Sequence, residues 1–451
     1  MKPIGWTDFE RHIVTPGEGA FMKFKFLRLL AVLFAVALVA AACGSDDDSS
    51  SSGSADHEDS LGDGSLGTVT VEAGEDIQIR SLNAITGDVA FLGIPNQRGV
   101  EQAVADFGDI HGFSVTIGTG LDDLCSADGG QAAAQVIVAD EEVVGVIGTS
   151  CSGAATAASP LISEAGMVMI SPSNTSPALT SDLAGTAGDN YHAGYYRTAH
   201  NDLFQGAAMA KFVYEELGIS AAGAIHDGDP YTQGLAQAFA DAFEALGGTV
   251  TGFTGVNKED TDMVPVLTEI AAGSPGALFF PIFQPAGDMI ADQAPGVSGL
   301  EGTVLLGADG LQVQSFMELS QADGMYLSGP DLRYGSNTNQ STGVTADKFL
   351  ADYESNNGNP PEAPFWAHSY DATTILLEAI KAASHTDGDN LVIDRAGVRE
   401  YLDNLTGYKG IIGTLSCDDF GDCGAQRITV VQNDSSDFQG SLENVVFEYA
   451  P

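Results

Sequence analysis

Val143-Val144-Gly145-Val146-Ile147 runs without a polar residue into Gly148-Thr149-Ser150-Cys151-Ser152-Gly153-Ala154-Ala155-Thr156. A second apolar run, Met167-Val168-Met169-Ile170, leads into Ser171-Pro172-Ser173-Asn174-Thr175-Ser176-Pro177. Short apolar runs bounded by small polar residues are the pattern of strands buried on both faces of a parallel sheet. The Ala-rich segment from Ala154 to Glu164 between them is helical, and strand, helix, strand makes a βαβ unit. In such sheets ligands bind outside the carboxyl ends of the strands, where both polar loops fall. Ser152 also opens a helix, whose free N–H groups and dipole favour an anion such as a carboxylate. A serine there also reads as an ordinary N-cap. Two such loops on neighbouring strand ends weigh towards a binding site.

The alternation continues on both sides of this unit. Upstream it predicts a strand over Ile77–Ile85, a helix over Ile94–Phe107, a strand over Phe113–Ile117 and a helix over Gly130–Ala139. Near Arg197 the pattern restarts. Helices are expected at Phe204–Leu217, Thr232–Leu246, Met263–Ala272 and Pro285–Gln293, interleaved with strands at Ala221–His226, Thr249–Phe253, Ala277–Phe280 and Val304–Leu306. Ser336–Gly343 reads as a polar surface loop. Helices near Thr345–Glu354, Trp366–Ala383 and Asp394–Leu405 follow, then strands at Arg427–Gln432 and Asn444–Tyr449. Strands and helices alternating at this period predict doubly wound α/β lobes.

Composition bounds what such lobes can do. The 451 residues suffice for two domains with sizeable cores, and 44% are hydrophobic. The formal net charge is -45, which argues against nucleic acid and against attraction to anionic lipid heads. After residue 42 there are 12 basic and 59 acidic residues, a charge near -47. Such a chain is soluble but repels itself, so salt is expected to stabilise it by screening.

Residues 1–42 form a leader with Met22 as the better start. Lys23, Lys25 and Arg28 precede the apolar stretch Leu29–Ala42, which ends Val39-Ala40-Ala41-Ala42-Cys43-Gly44. This resembles a bacterial lipoprotein signal peptide with Cys43 as the lipidated residue. Ala40 stands where the pattern usually has Leu, and a plain secretory signal is the alternative. Residues 43–74, rich in Ser, Gly and Asp, read as a disordered tether. The other four cysteines read as two pairs, Cys125 with Cys151 and Cys417 with Cys423, pointing to an oxidising compartment. Buried free thiols are the alternative for each pair. No cysteine has the spacing of a metal site, and no cofactor or catalytic residue is expected. A cysteine hydrolase using Cys151 is the enzyme reading, but no G-x-S-x-G elbow or phosphate-binding loop accompanies it.

Thr86-Gly87 with Gly93, Gly99–Val104, Asp122-Asp123-Leu124-Cys125, Val146-Ile147-Gly148 with Cys151-Ser152, Ile170-Ser171-Pro172, Arg197-Thr198 with Asp202 and Gln205-Gly206, and Tyr370-Asp371-Ala372 occur in one order along the chain. Together they resemble the branched-chain amino-acid-binding proteins of ABC importers, the type I periplasmic binding proteins, from about Asp76 onwards. The resemblance implies two Rossmann-like lobes joined by three hinge crossings, with the ligand in the cleft between them. It divides the chain into 75–198 with 330–412 as the first lobe and 199–329 with 413–451 as the second. It implies a small amino acid as ligand, an ABC permease and ATPase as partners, and a lipid anchor to the membrane outside the cytoplasm. By resemblance Cys125–Cys151 is a disulfide of some members. Ser152 falls where the α-carboxylate is bound, Ser173 where a carbonyl accepts from the α-ammonium, and Thr175 where both groups are touched. Tyr231 and Phe283 fall at aromatic positions of the second lobe and Tyr370 at one of the first, while Asp309 pairs with the ammonium. Members often have Glu at the Asp309 position and Tyr where this chain has Phe91-Leu92. The Cys417–Cys423 loop has no counterpart in the simplest members and reads as a local staple near the third crossing. A sensory receptor, or a binder of an amide, urea or aromatic acid, is the other reading of the same fold.

Overall fold

The structure is a computed structural model and describes residues 61–450. The leader, the Met22 start, Cys43 and the first part of the tether lie outside the described residues. In chain order the strands are β1 (Thr68–Val71), β2 (Ile77–Asn83), β3 (Val115–Thr116), β4 (Leu121–Asp122), β5 (Val143–Gly148), β6 (Val168–Ser171), β7 (Tyr195–Arg197), β8 (Ala221–His226) and β9 (Thr249–Gly255). They continue as β10 (Ala277–Phe279), β11 (Val304–Gly307), β12 (Tyr326–Pro330), β13 (Ser384–Asp387), β14 (Asn390–Asp394), β15 (Tyr408–Lys409), β16 (Thr414–Leu415), β17 (Ile428–Gln432) and β18 (Val445–Tyr449).

Two sheets dominate. The first has the order β3-β2-β5-β6-β7, with β4 also on β2, and all its pairs are parallel. The second has the order β18-β17-β12-β11-β10-β8-β9, parallel except where β17 and β18 join. In each sheet the first parallel strand lies inside, with the second on one side of it and the third to fifth on the other. Strand order reverses between first and third strand, β2/β5 in one lobe and β8/β10 in the other, and this is where a doubly wound sheet opens a ligand crevice. The chain crosses from first to second lobe after β7, returns after β12 and crosses again before β17.

Burial explains why these residues form these strands. All six residues of β5 are buried, as a central parallel strand covered on both faces requires. Val146 packs beneath the helices Ala127–Val138 and Ser152–Glu164. Val144 and Ile147 pack beneath the helix Trp366–Ala382. Gly148 ends the strand at φ 146°, and a Cβ there would lie 1.8 Å from the Leu82 carbonyl oxygen. Only glycine lets β2 and β5 run this close before their loops diverge.

The structure departs from the sequence reading in several places. The tether expected to reach residue 74 ends sooner, because β1 pairs antiparallel with β14 and buries Val69 and Val71. The Thr-Val-Thr-Val alternation has period 2, the signature of a half-buried strand. β12 and the β13–β14 hairpin were not expected, and the helix from Asp202 to Lys211 widens into a π turn over Phe212–Glu216. Ser336–Gly343 is more than a surface loop. Asn339 is fully buried and donates to Asp371 Oδ1 (2.9 Å) and Thr374 Oγ1 (2.8 Å). Asp371 in turn accepts from the Ile411 and Ile412 amides, and its burial raises its carboxyl to about 6.

Both cysteine pairs are disulfides, Cys125–Cys151 and Cys417–Cys423, so Cys151 offers no thiol nucleophile. The 417–423 loop lies against the end of β7. Asp422 forms a buried ion pair with Arg197, and the Cys423 amide donates to the Arg197 carbonyl at 3.0 Å. The second staple therefore ties the first crossing to the third. Among the described residues no helix is long and apolar enough to cross a membrane, and no group of three or more His, Cys, Asp or Glu is placed to hold a metal ion.

Candidate functional site

The loops after β5 and β6 are built as one polar unit. Ser150 donates from Oγ to Asn83 Oδ1 (3.0 Å), accepts from the Ala84 amide (3.1 Å), and gives its own amide to Asp123 Oδ2 (2.7 Å). Asp123 also takes the Cys125 amide at 2.7 Å, and burial raises its carboxyl to about 7 despite these donors. The Ser173 hydroxyl donates to the Ser150 carbonyl (3.0 Å) and accepts from Asn96 Nδ2 (3.2 Å). Ser152 Oγ accepts from the Ser176 amide (3.3 Å) and thereby ties the two loops. Ser152 is not the N-cap expected as the alternative. Cys151 takes that position, its sulfur is held in the disulfide, and no side chain of this lobe caps the helix.

Arg197 fixes the second loop from behind. Its guanidinium donates from Nη1 to the carbonyls of Asn174 (3.1 Å) and Ser176 (2.8 Å), and from Nη2 to Thr180 Oγ1 (2.6 Å), while Nε meets Asp422. The two held carbonyls flank Thr175, so the fork sets that residue's orientation. A fully buried arginine is tolerable only when paired and saturated in this way.

The second lobe brings an acid and rings. Asp309 follows β11, is 4% exposed, and accepts at Oδ1 from Gln205 Nε2 (2.7 Å) and the Tyr231 hydroxyl (3.1 Å). Burial raises its carboxyl to about 6 against the pull of those two donors. Tyr231 follows β8 and packs on Phe283, which follows β10, with ring centroids 5.1 Å apart. Asp202 lies fully buried beside this group. Its carboxyl is raised well above the usual range by burial and by the charge of Asp309. The Thr175 hydroxyl leans towards Asp202 and eases its charge slightly, yet no well-formed hydrogen bond joins them.

One cavity gathers these parts. It is lined by Leu92, Ser150, Cys151, Ser152, Ser173 and Phe365 of the first lobe and by Tyr231, Phe283, Asp309 and Gly310 of the second. Of the residues named from the sequence, Ser152, Ser173, Tyr231, Phe283 and Asp309 meet here. Thr175 is buried next to the cavity but does not line it. Tyr370 must be corrected. Its hydroxyl donates to Asp106 (3.0 Å) and is bonded to the Thr342 hydroxyl (2.8 Å) inside the first lobe, away from the cavity. Phe365, just ahead of the same helix, provides the first-lobe ring instead. The adjacent rings Phe365 and Trp366 were the available signal, and Trp366 turned out to stack on Phe349 in the core.

The family profile of the periplasmic binding proteins matches residues 76–437. The chain belongs to the periplasmic binding protein family. Among curated relatives, the Leu/Ile/Val/Thr-binding protein of Salmonella typhimurium is 28% identical over 358 residues, covering 77% of this chain and 88% of the relative. The Leu/Ile/Val-binding protein of Escherichia coli K12 is 28% identical over 357 residues with the same coverage. Among solved structures, a leucine-binding protein from Thermotoga maritima superposes with a TM-score of 0.69 at 25% identity, covering 83% of this chain and 99% of that one. A solute-binding protein from R. palustris in complex with benzoate superposes at 0.65 with 17% identity, covering 83% and 97%, a likeness of fold alone. The two lobes and three crossings of this periplasmic binding protein are thus those of the type I architecture.

Proposed function

We propose that this periplasmic binding protein is the extracytoplasmic receptor of an ABC importer, closing on a small α-amino acid with a hydrophobic side chain and presenting it to a permease and ATPase. The observation that carries this reading is the division of charge across one cavity. The first lobe offers the start of a helix and the hydroxyl of Ser152, donors suited to a carboxylate. The second offers Asp309, whose Oδ2 has no protein donor and suits an ammonium. Leu92, Phe283 and Phe365 supply an apolar wall for the side chain. A ligand touching both lobes stabilises the closed form through contacts the open form lacks. The ligands for which the relatives are named, leucine, isoleucine, valine and threonine, are of this class. The lipoprotein-type leader and a lipid on Cys43 complete the reading, holding the receptor at the outer face of the membrane.

A thermal-shift panel tests the ligand class. At a hundred times its dissociation constant a ligand adds about 2.7 kcal/mol. Hydrophobic amino acids should raise the melting temperature, and urea, amides and benzoate should not. A shift with benzoate alone would leave the fold standing and overturn the amino-acid reading.

A further inference from the structure

Asp229 does not line the cavity, yet it reaches across the cleft to the helix start that serves the carboxylate end of the site. It ends the loop after β8 and caps its own helix, Pro230–Ala245, with Oδ1 accepting from the Tyr231 amide at 2.9 Å. Its Oδ2 points into the first lobe at Gly153, where a Cβ would lie 2.4 Å away. Burial raises this carboxyl to about 6, and the Gly153 amide that faces it works the other way, favouring the charged form. Gly153 is the second residue of the helix Ser152–Glu164, which has no side-chain cap within its own lobe. The Pro230 helix also comes close to the first lobe at Gly234, where a Cβ would meet Pro177 and Ser176 of the loop after β6 at 3.6 Å. Of the neighbouring charges, Asp227 adds repulsion and Lys258 attraction.

We propose that Asp229 is a latch of the closed form, one carboxylate that caps a helix in each lobe, and that Gly153 is the seat that admits it. Helix N-termini carry unpaired donors and partial positive charge. Opening the lobes returns the donors of the Ser152 helix to water, and closing them replaces that water with a carboxylate already ordered by its own cap. The latch sits next to Ser152 but needs no ligand, so it sets how much of the empty receptor is closed. A receptor whose competent state is more populated binds more tightly by that factor.

Asp229→Ser separates the two roles, because serine is also a good N-cap but is too short to cross the cleft. Hydrogen exchange of the ligand-free full chain, followed by mass spectrometry, reads both ends at once. In D229S the peptide spanning Cys151–Thr156 should exchange about fivefold faster, the worth of one cap, while the start of the Pro230 helix stays protected. Gly153→Ala should give the same acceleration by blocking the seat, and adding it to D229S should change little more. Unchanged exchange around Gly153 in D229S, or independent multiplication of the two effects, would overturn the latch. Because the measurement uses no ligand, its outcome is separate from that of the amino-acid reading.

Discussion

The two lobes share a strand order and divide the chemistry. At its switch point the first lobe presents hydroxyls, backbone amides and a helix start, pinned by Asp123, Arg197 and the Cys125–Cys151 disulfide. The second presents an acid and rings, pinned by Gln205 and a tyrosine hydroxyl. One sheet order therefore dictates where a site forms but not its sign; the loop residues decide that. The first lobe's half is also the more rigidly held, since its donors are backbone groups fixed by buried side chains. The second lobe's half rests on one carboxylate whose protonation can change.

Perturbing each half should break this comparison differently. The largest effect is expected from Arg197→Met, which strands Asp422 without its partner and frees the carbonyls around Thr175. Losing one member of a buried pair costs about 3–5 kcal/mol, readable in urea unfolding, and affinity should fall with it. Asp309→Asn should leave stability nearly intact and weaken an amino acid by several-fold to about a hundredfold, while a simple carboxylate ligand loses almost nothing in calorimetry. Equal losses for both would remove Asp309 from the ammonium.

The pH dependence follows from the same carboxyl. Its value is raised from 3.8 to about 6 by burial, so the ligand-free protein holds a proton there below about pH 6. An ammonium needs the carboxylate. Affinity should be flat above about pH 6 and fall below it, approaching about tenfold per unit, and the fall should vanish in D309N. The sign for stability is opposite: protonated Asp309 favours the empty fold, fully below about pH 3.8, and that contribution is lost as pH rises through about 6. Tyr231, raised well above its usual value by burial, stays neutral through this window, and burial together with the charge of Asp309 also pushes the Asp202 carboxyl upwards.

Ser152→Ala should weaken carboxylate-bearing ligands by about three- to tenfold, because the amides beside it remain. Tyr370→Phe is the smallest case. It should cost about 1 kcal/mol of stability through the lost Asp106 and Thr342 bonds and leave affinity unchanged in the same calorimeter.

What could be read in advance follows from what periodicity encodes. Val143–Ile147 announced a buried parallel strand because a strand covered on both faces has no polar residue to lose. Ser152, Ser173 and Asp309 were reachable because they sit directly after strands, where the fold places its ligands. Tyr370 was misplaced because an aromatic residue in an apolar helix looks the same facing a core or a cleft; tertiary packing turned Tyr370 inwards and left Phe365, just ahead of the helix, facing the cleft. Thr68–Val71 was hidden by the polar composition around it, although its alternation was regular. Arg197 and Asp422 lie 225 positions apart, and nothing local in either stretch announces a buried ion pair.

The central claim is that one lobe takes the carboxylate and the other the ammonium of the same molecule. The most direct measurement compares L-leucine with 4-methylpentanoate, which lacks the amine, and 3-methylbutylamine, which lacks the carboxylate, by calorimetry on the same protein at pH 7.5. Leucine should bind, and each analogue should bind at least about a hundredfold more weakly, since each leaves one lobe's half of the site unmet. An analogue binding as tightly as leucine would contradict the division of the site between the lobes.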